Sequence, residues 1–90
     1  MKSISERSSS TIEVVLHGAL SAYSPEPGRA HVALKVSEPH KACEVYRLLG
    51  VPEESVSFVA RNRSKCSKEE IISPGDRLDV FPPLIGGNTK

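Results

Sequence analysis

Helical periodicity occurs only once in this sequence, and period-two alternation flanks it on both sides. Ala42, Val45, Tyr46 and Leu49 stand at i, i+3, i+4 and i+7, with Leu48 widening the stripe. Ser37 offers an N-cap, Glu38 sets negative charge on the first turn, and Pro39 is tolerated there because its missing N–H would be unpaired anyway. Gly50 follows the last turn, where a left-handed residue is wanted, and Pro52 blocks continuation. The pattern predicts a helix over 38–49. A lone helix with one apolar stripe can cover only one face of a sheet, which restricts the chain to an α+β fold with strands before and after the helix.

The strands are legible in turn. Ile12, Val14 and Leu16 alternate with Glu13, Val15 and His17, and Gly18 closes the run. Ser24-Pro25-Glu26-Pro27-Gly28 forbids a continuing strand and predicts a turn or longer hairpin loop. Val32, Leu34 and Val36 then match the first strand in length, so the two form an antiparallel hairpin. Beyond the helix, Val56, Phe58 and Ala60 give a third alternation. Arg61-Asn62-Arg63-Ser64-Lys65 reads as a solvated turn, and Ile71-Ile72 as a small apolar anchor. Ser73-Pro74-Gly75-Asp76 is turn chemistry, after which Leu78 and Val80 mark a last strand. Pro82 and Pro83 must terminate that strand or leave it at an edge.

Ninety residues allow one small domain with a modest core. Residues 1–10 are polar and Ser-rich and read as a flexible lead-in, residues 11–83 as the domain, and residues 84–90 as a flexible tail. Twelve Lys and Arg against eleven Asp and Glu give a formal charge of +1, far from the basic balance of a phosphate-holding surface, so nucleic acid is not an expected partner. The longest apolar run is far short of the roughly 20 residues that cross a bilayer, and no secretory pattern opens the chain. A cytoplasmic protein without membrane association is the expectation.

Few residues suggest independent chemistry. Cys43 and Cys66 are too few for a zinc pattern and read as reduced thiols, although Arg63, Lys65 and Lys68 around Cys66 would favour a thiolate. His17, His31 and His40 lack the paired spacing of metal ligands and read as surface histidines; no metal site is expected. The basic run Arg61, Arg63, Lys65 and Lys68 reads as solvated turn charge, with an acidic partner surface as the alternative. There is no nucleophile elbow, phosphate-binding loop or paired-Cys motif.

The remaining signal lies at the end of the chain. The last strand runs into Phe81-Pro82-Pro83, then Leu84-Ile85, then Gly86-Gly87, with Asn88-Thr89-Lys90 beyond. Each proline ring fixes φ and extends the residue before it. At about 3.3 Å per residue, Leu84 to Gly87 can reach roughly 13 Å when extended. Glycines permit close backbone approach, so such an arm can enter a tunnel too narrow for a residue bearing a Cβ.

Gly75-Asp76, Leu78, Val80, Phe81-Pro82-Pro83 and Gly86-Gly87 together resemble the ubiquitin-like β-grasp sulfur carriers, the MoaD and ThiS family, over about Thr11 to Gly87. The Pro-Pro pair resembles the small subunit of molybdopterin synthase more than the thiamine carrier. The resemblance implies a small mixed sheet with one main helix packed on one face. It also implies a carrier that is not itself an enzyme and binds no cofactor. An adenylating enzyme resembling the ubiquitin-activating family would use ATP to activate the Gly87 carboxylate, and a sulfur donor would convert it to a thiocarboxylate. A sulfur-accepting synthase, such as the large subunit of molybdopterin synthase, would then take the sulfur. Gly87 is the attachment point in that scheme, and Phe81, Pro82, Pro83, Leu84, Ile85 and Gly86 are the partner-binding residues. The family's simplest pattern ends at the second glycine, so residues 88–90 would first be removed, for instance by a JAMM-type protease. The alternatives are a ubiquitin-like protein modifier or a non-catalytic interaction module and, among carriers, thiamine or another sulfur-transfer pathway.

Overall fold

Five strands form one mixed sheet in the order β2 (His31–Lys35), β1 (Thr11–Leu16), β7 (Arg77–Phe81), β4 (Phe58–Arg61) and β5 (Ser64–Cys66), and the computed structural model describes residues 11–83. The predicted lead-in and the tail with Leu84, Ile85, Gly86 and Gly87 lie outside the described residues. Strand β1 (Thr11–Leu16) pairs antiparallel with β2 (His31–Lys35), Val14 facing Val32, so the expected hairpin is present. The last strand, β7 (Arg77–Phe81), lies between β1 and β4 (Phe58–Arg61), parallel to the first and antiparallel to the second. It is central, and Pro82 and Pro83 terminate it instead of marking an edge.

Helix α1 (Ala42–Leu48) covers one sheet face, where Ile12, Val14, Leu16, Val59, Leu78 and Val80 cluster with Ala42, Val45 and Tyr46, all buried. The helix is shorter than its sequence pattern. His40–Lys41 form a short strand, β3, which pairs with β6 (Ile71–Ile72), so that Ser37 caps nothing. Pro39 disfavours helical dihedrals at Glu38. The first helical amides instead find partners in the loop that crosses the helix end: Ala42 N–H donates to the Glu70 carbonyl at 2.8 Å and Cys43 N–H to Lys68 at 2.9 Å. The Lys41 amide donates to the Glu44 carboxylate at 3.0 Å. At the other end, Gly50 takes φ +85°, with its amide on Arg47 and the Val51 amide on Tyr46, the two bonds of a Schellman cap. Leu48 does not widen the apolar stripe. It is 59% exposed.

Between β1 and β2 the expected loop contains a 3-10 helix, Gly18–Tyr23, whose Leu20 joins the core. A second 3-10 turn, Glu53–Ser55, leads into β4. There the alternation is displaced by one residue: Val59 is fully buried in the core, whereas Phe58 and Ala60 share the opposite face. Val56 is buried too, but it lies outside the strand, so its side chain does not set the strand's parity. The basic run is a hairpin. Asn62 and Arg63, at φ +48° and +75°, make the two-residue turn into β5 (Ser64–Cys66), the primed type whose twist suits a tight hairpin.

Candidate functional site at the exit of the last strand

Strand β7 is held on both sides up to its last residue. The His17 amide donates to the Val80 carbonyl at 3.0 Å and the Ser57 amide to the Phe81 carbonyl at 2.8 Å. The next residue, Pro82, has no N–H to extend either ladder. It passes against Gly18, which sits at φ +58°, and a Cβ built at Gly18 would stand 3.2 Å from Pro82 Cγ. The glycine thus serves both a left-handed turn and a close approach. Pro82 and Pro83 thus follow the end of the strand at a defined point.

Beside this exit, on the face away from α1, three rings stack across three chain segments. His17 lies on Phe81 with centroids 4.2 Å apart, and Phe81 lies on Phe58 at 4.4 Å, both pairs within 8° of parallel. Lys65 Nζ caps the column 5.0 Å from the Phe58 centroid, a favourable position over the ring face. The far ring is anchored by charge. His17 Nε2 is 2.8 Å from Asp79 Oδ2, and Arg77 donates from Nε to Asp79 Oδ1 at 2.7 Å and from Nη2 to Oδ2 at 2.9 Å. Asp79 is 5% exposed, and the Arg77 hydrogen bonds, then His17, hold its carboxyl below the usual range against the opposing effect of burial. A buried carboxylate satisfied by three contacts fixes the imidazole against Phe81.

On the other side of the exit, Leu20, Tyr23, Ser55, Pro82 and Pro83 line a largely apolar groove of about 600 Å³. Tyr23 is 37% exposed there. Ring column and groove therefore flank the proline pair with which the described residues end.

Of the residues assigned from sequence, Phe81, Pro82 and Pro83 are brought together at this exit, all half-buried. Leu84, Ile85, Gly86 and Gly87 lie outside the described residues. His17, Gly18, Phe58 and Asp79 belong to the exit and are not singled out for it by the sequence. For His17 and Asp79 the available signal is parity, since like Phe81 they occupy the polar phase of their strand patterns, whereas Phe58 stands in an apolar phase. His31 and His40 pair with Glu13 and Glu44, at 2.9 and 3.5 Å. Cys43 and Cys66 are both free thiols. Burial, and then the charge of Glu70, push the Cys66 thiol up, overturning the thiolate suggested by its basic neighbours. Two of those cations are engaged elsewhere, Lys68 with Glu53 and Lys65 with Phe58. Among the described residues no group of three or more His, Cys, Asp or Glu is placed to hold a metal ion, and no helix is long and apolar enough to cross a membrane.

Comparison with known proteins places the fold. The SAMP1 protein of Haloferax volcanii superimposes with a TM-score of 0.64 at 22% identity, covering 86% of this chain and 99% of that one. The Haloferax volcanii HVO 2177 protein gives 0.66 at 18% identity, covering 86% of each chain. Urm1 of Trypanosoma brucei gives 0.64 at 16% identity, covering 87% and 96%. These are β-grasp, ubiquitin-like proteins, and the expected fold is the observed one. No curated protein sequence matches the chain. The profile of the ThiS family matches residues 23–87, a span that takes in α1, β7 and the proline exit and runs to Gly87, and the chain belongs to the ThiS family.

Proposed function

We propose that this protein is a sulfur carrier whose Gly87 carboxylate is activated and converted to a thiocarboxylate once residues 88–90 have been removed. The observation that carries the reading is the family match ending at Gly87, joined to a last strand that delivers the chain from the centre of the sheet. In the first step the Gly87 carboxylate oxygen attacks the α-phosphorus of ATP on an activating enzyme, and pyrophosphate leaves. A hydrosulfide donor then attacks the acyl carbon and expels AMP, leaving the thiocarboxylate. Adenylation is needed because a carboxylate is a poor electrophile at neutral pH. The carrier supplies the acyl group and a surface by which it is recognised. Its ring column, Pro82-Pro83 and the adjoining groove support that role: rigid rings and prolines lose little conformational entropy when they are covered. As the acceptor of the sulfur we favour a molybdopterin synthase large subunit, on the strength of Phe81-Pro82-Pro83. The cut after Gly87 suits a JAMM-type metalloprotease.

Intact mass tests the reading. A chain ending at Gly87, given the activating enzyme, ATP and the donor, gains roughly 16 Da as sulfur replaces oxygen. The chain extended through Lys90 gains nothing until it is cut. Repeated failure of the processed chain to gain that mass would overturn the proposal. A second reading, a protein modifier joined to lysines through Gly87, is favoured by the similar structure described as small archaeal modifier protein 1. Lysine-linked conjugates without the sulfur mass shift would select it.

A further inference from the structure

Strand β2 is an outer strand of the sheet, and its free edge is chemically specific. The Leu16 amide donates to the Ala30 carbonyl at 2.9 Å, which fixes the parity of the β1–β2 ladder. Ala30, Val32 and Leu34 turn their backbone groups towards β1, so His31, Ala33 and Lys35 turn theirs outward. No hydrogen bond among the described residues reaches those three N–H and three C=O groups. The edge contains no proline and no bulge, and its one lysine, Lys35, stands at its end. Alongside it, the turn from Ser24 to Arg29 forms the far wall of a cleft of about 400 Å³.

The side chains define what the edge accepts. On the open face β2 presents His31 and Lys35, both exposed, and the strand contains no carboxylate. His31 already pairs with Glu13, whereas Lys35 has no ion-pair partner among the described residues. On the helix side Leu34 and Val36 are half-buried against the core and leave apolar surface open at the edge. An added strand therefore meets Lys35 on one face, where His31 is taken up by Glu13 and, in the adjoining cleft, Glu26 by Arg29, and apolar carbons on the other.

We infer that β2 is a docking edge for an extended peptide segment of a partner protein in which a carboxylate placed to face Lys35 is flanked by small apolar residues. Main-chain bonds to His31, Ala33 and Lys35 supply the attachment, and the alternating side chains supply the selectivity. A second copy of the chain fits less well. A two-fold pairing centred on Ala33 sets Lys35 opposite His31 of the other copy with no carboxylate from either β2. Five residues of strand also offer far less than the roughly 1,200 Å² of a stable protein pair.

Titration of the isotope-labelled full chain with a synthetic nine-residue peptide of alternating Val and Asp tests this by amide NMR. Saturable shifts are expected at the His31, Ala33 and Lys35 amides. A peptide N-methylated at every second residue, on the edge that pairs, should lose binding. A Val–Lys peptide, and the Lys35→Glu variant with the Val–Asp peptide, should each bind about fivefold more weakly. Lys35 is exposed, so that variant does not threaten the fold. Absence of saturable shifts on β2 overturns the inference, as does binding that survives N-methylation or that maps to Phe58 and Phe81. Concentration-dependent shifts at the same amides without peptide would assign the edge to a second copy and also overturn it. No activating enzyme is involved, so the result is independent of the fate of Gly87.

Discussion

Replacing Gly18 by alanine probes the exit most directly, because two separate effects act there and one of them has an internal control. At φ +58° an L-residue with a Cβ costs roughly 1–2 kcal/mol relative to glycine. The new Cβ also lies 3.2 Å from Pro82 Cγ, tighter than ordinary contact, so Pro82 must retreat by a few tenths of an ångström. Gly28 sits at φ +83° with nothing within 4 Å of its virtual Cβ, so Gly28→Ala carries the backbone strain alone. We expect about 1 kcal/mol for Gly28→Ala and about 2 kcal/mol for Gly18→Ala, the excess coming from Pro82. At about 4–8 °C per kcal/mol for a domain of this size, the two variants should melt visibly apart. Urea unfolding followed by circular dichroism gives the energies, and carbon shifts of the Pro82 ring report the displacement. Equal losses in the two variants, with an undisturbed Pro82, would refute the close-approach argument.

Other perturbations separate the two sheet faces and the charged sites. Val59→Ser should cost about 3 kcal/mol, by lost burial and an unsatisfied hydroxyl, while Phe58→Ser costs about 1 kcal/mol; the reverse order in urea unfolding would restore the alternation read from sequence. Asp79 is held below the ordinary carboxyl range by Arg77 and then His17, so its contribution is present above about pH 4 and is lost as pH falls through its lower native value. Asp79→Asn should cost about 2 kcal/mol at pH 7 and flatten the acid limb of stability against pH, and an unchanged acid limb would count against the triad. Tyr46 donates to Glu53 at 2.6 Å, and burial, then Glu53, push its phenol up. The unfolded chain's phenol ionises first, so stability falls as pH rises above about 10. Tyr46→Phe should cost about 1 kcal/mol at pH 7 and reduce that alkaline loss.

Where local pattern and tertiary demand agreed, the sequence was a sufficient guide. Ile12, Val14 and Leu16 are buried as their alternation requires, and Gly50 and Gly75 adopt the positive φ that their cap and turn need. The turn at Ser73–Asp76 closes with the Asp76 amide on the Ser73 carbonyl at 2.9 Å. Misreadings arose where a distant segment satisfied the backbone. His40 and Lys41 have a helical context, but their pairing with Ile71–Ile72 and the carbonyls of Lys68 and Glu70 move the helix start to Ala42. No residue near position 40 announces a partner thirty residues away. The β4 parity failed for a related reason: Val56 is buried at the end of a 3-10 turn, and a one-residue change of phase sends every later side chain to the other face. The turn within Arg61–Lys65 was legible, but its tight hairpin form and the strand β5 after it were not, since an arginine at positive φ does not signal a two-residue hairpin turn whereas glycine there would have done.

The candidate site was legible as an endpoint and not as a place. Phe81-Pro82-Pro83 stands out as a string, yet what makes it an exit lies in residues 63 to 66 positions earlier in the chain. His17 holds the Val80 carbonyl with its amide, Asp79 with its imidazole, and Phe81 with its ring; Gly18 clears the path of Pro82. All of this follows from β1 and β7 lying parallel side by side, which brings the end of the first strand to the end of the last. Parallel pairing cannot be made by a tight turn, and everything between those strands, α1 included, forms the crossover. The core that α1 builds is thus also what sets two sequence-remote residues beside the prolines. A substitution deep under the helix, such as Val45→Ala, should consequently act on the exit only through global stability, whereas changes at His17 or Gly18 should act on it locally.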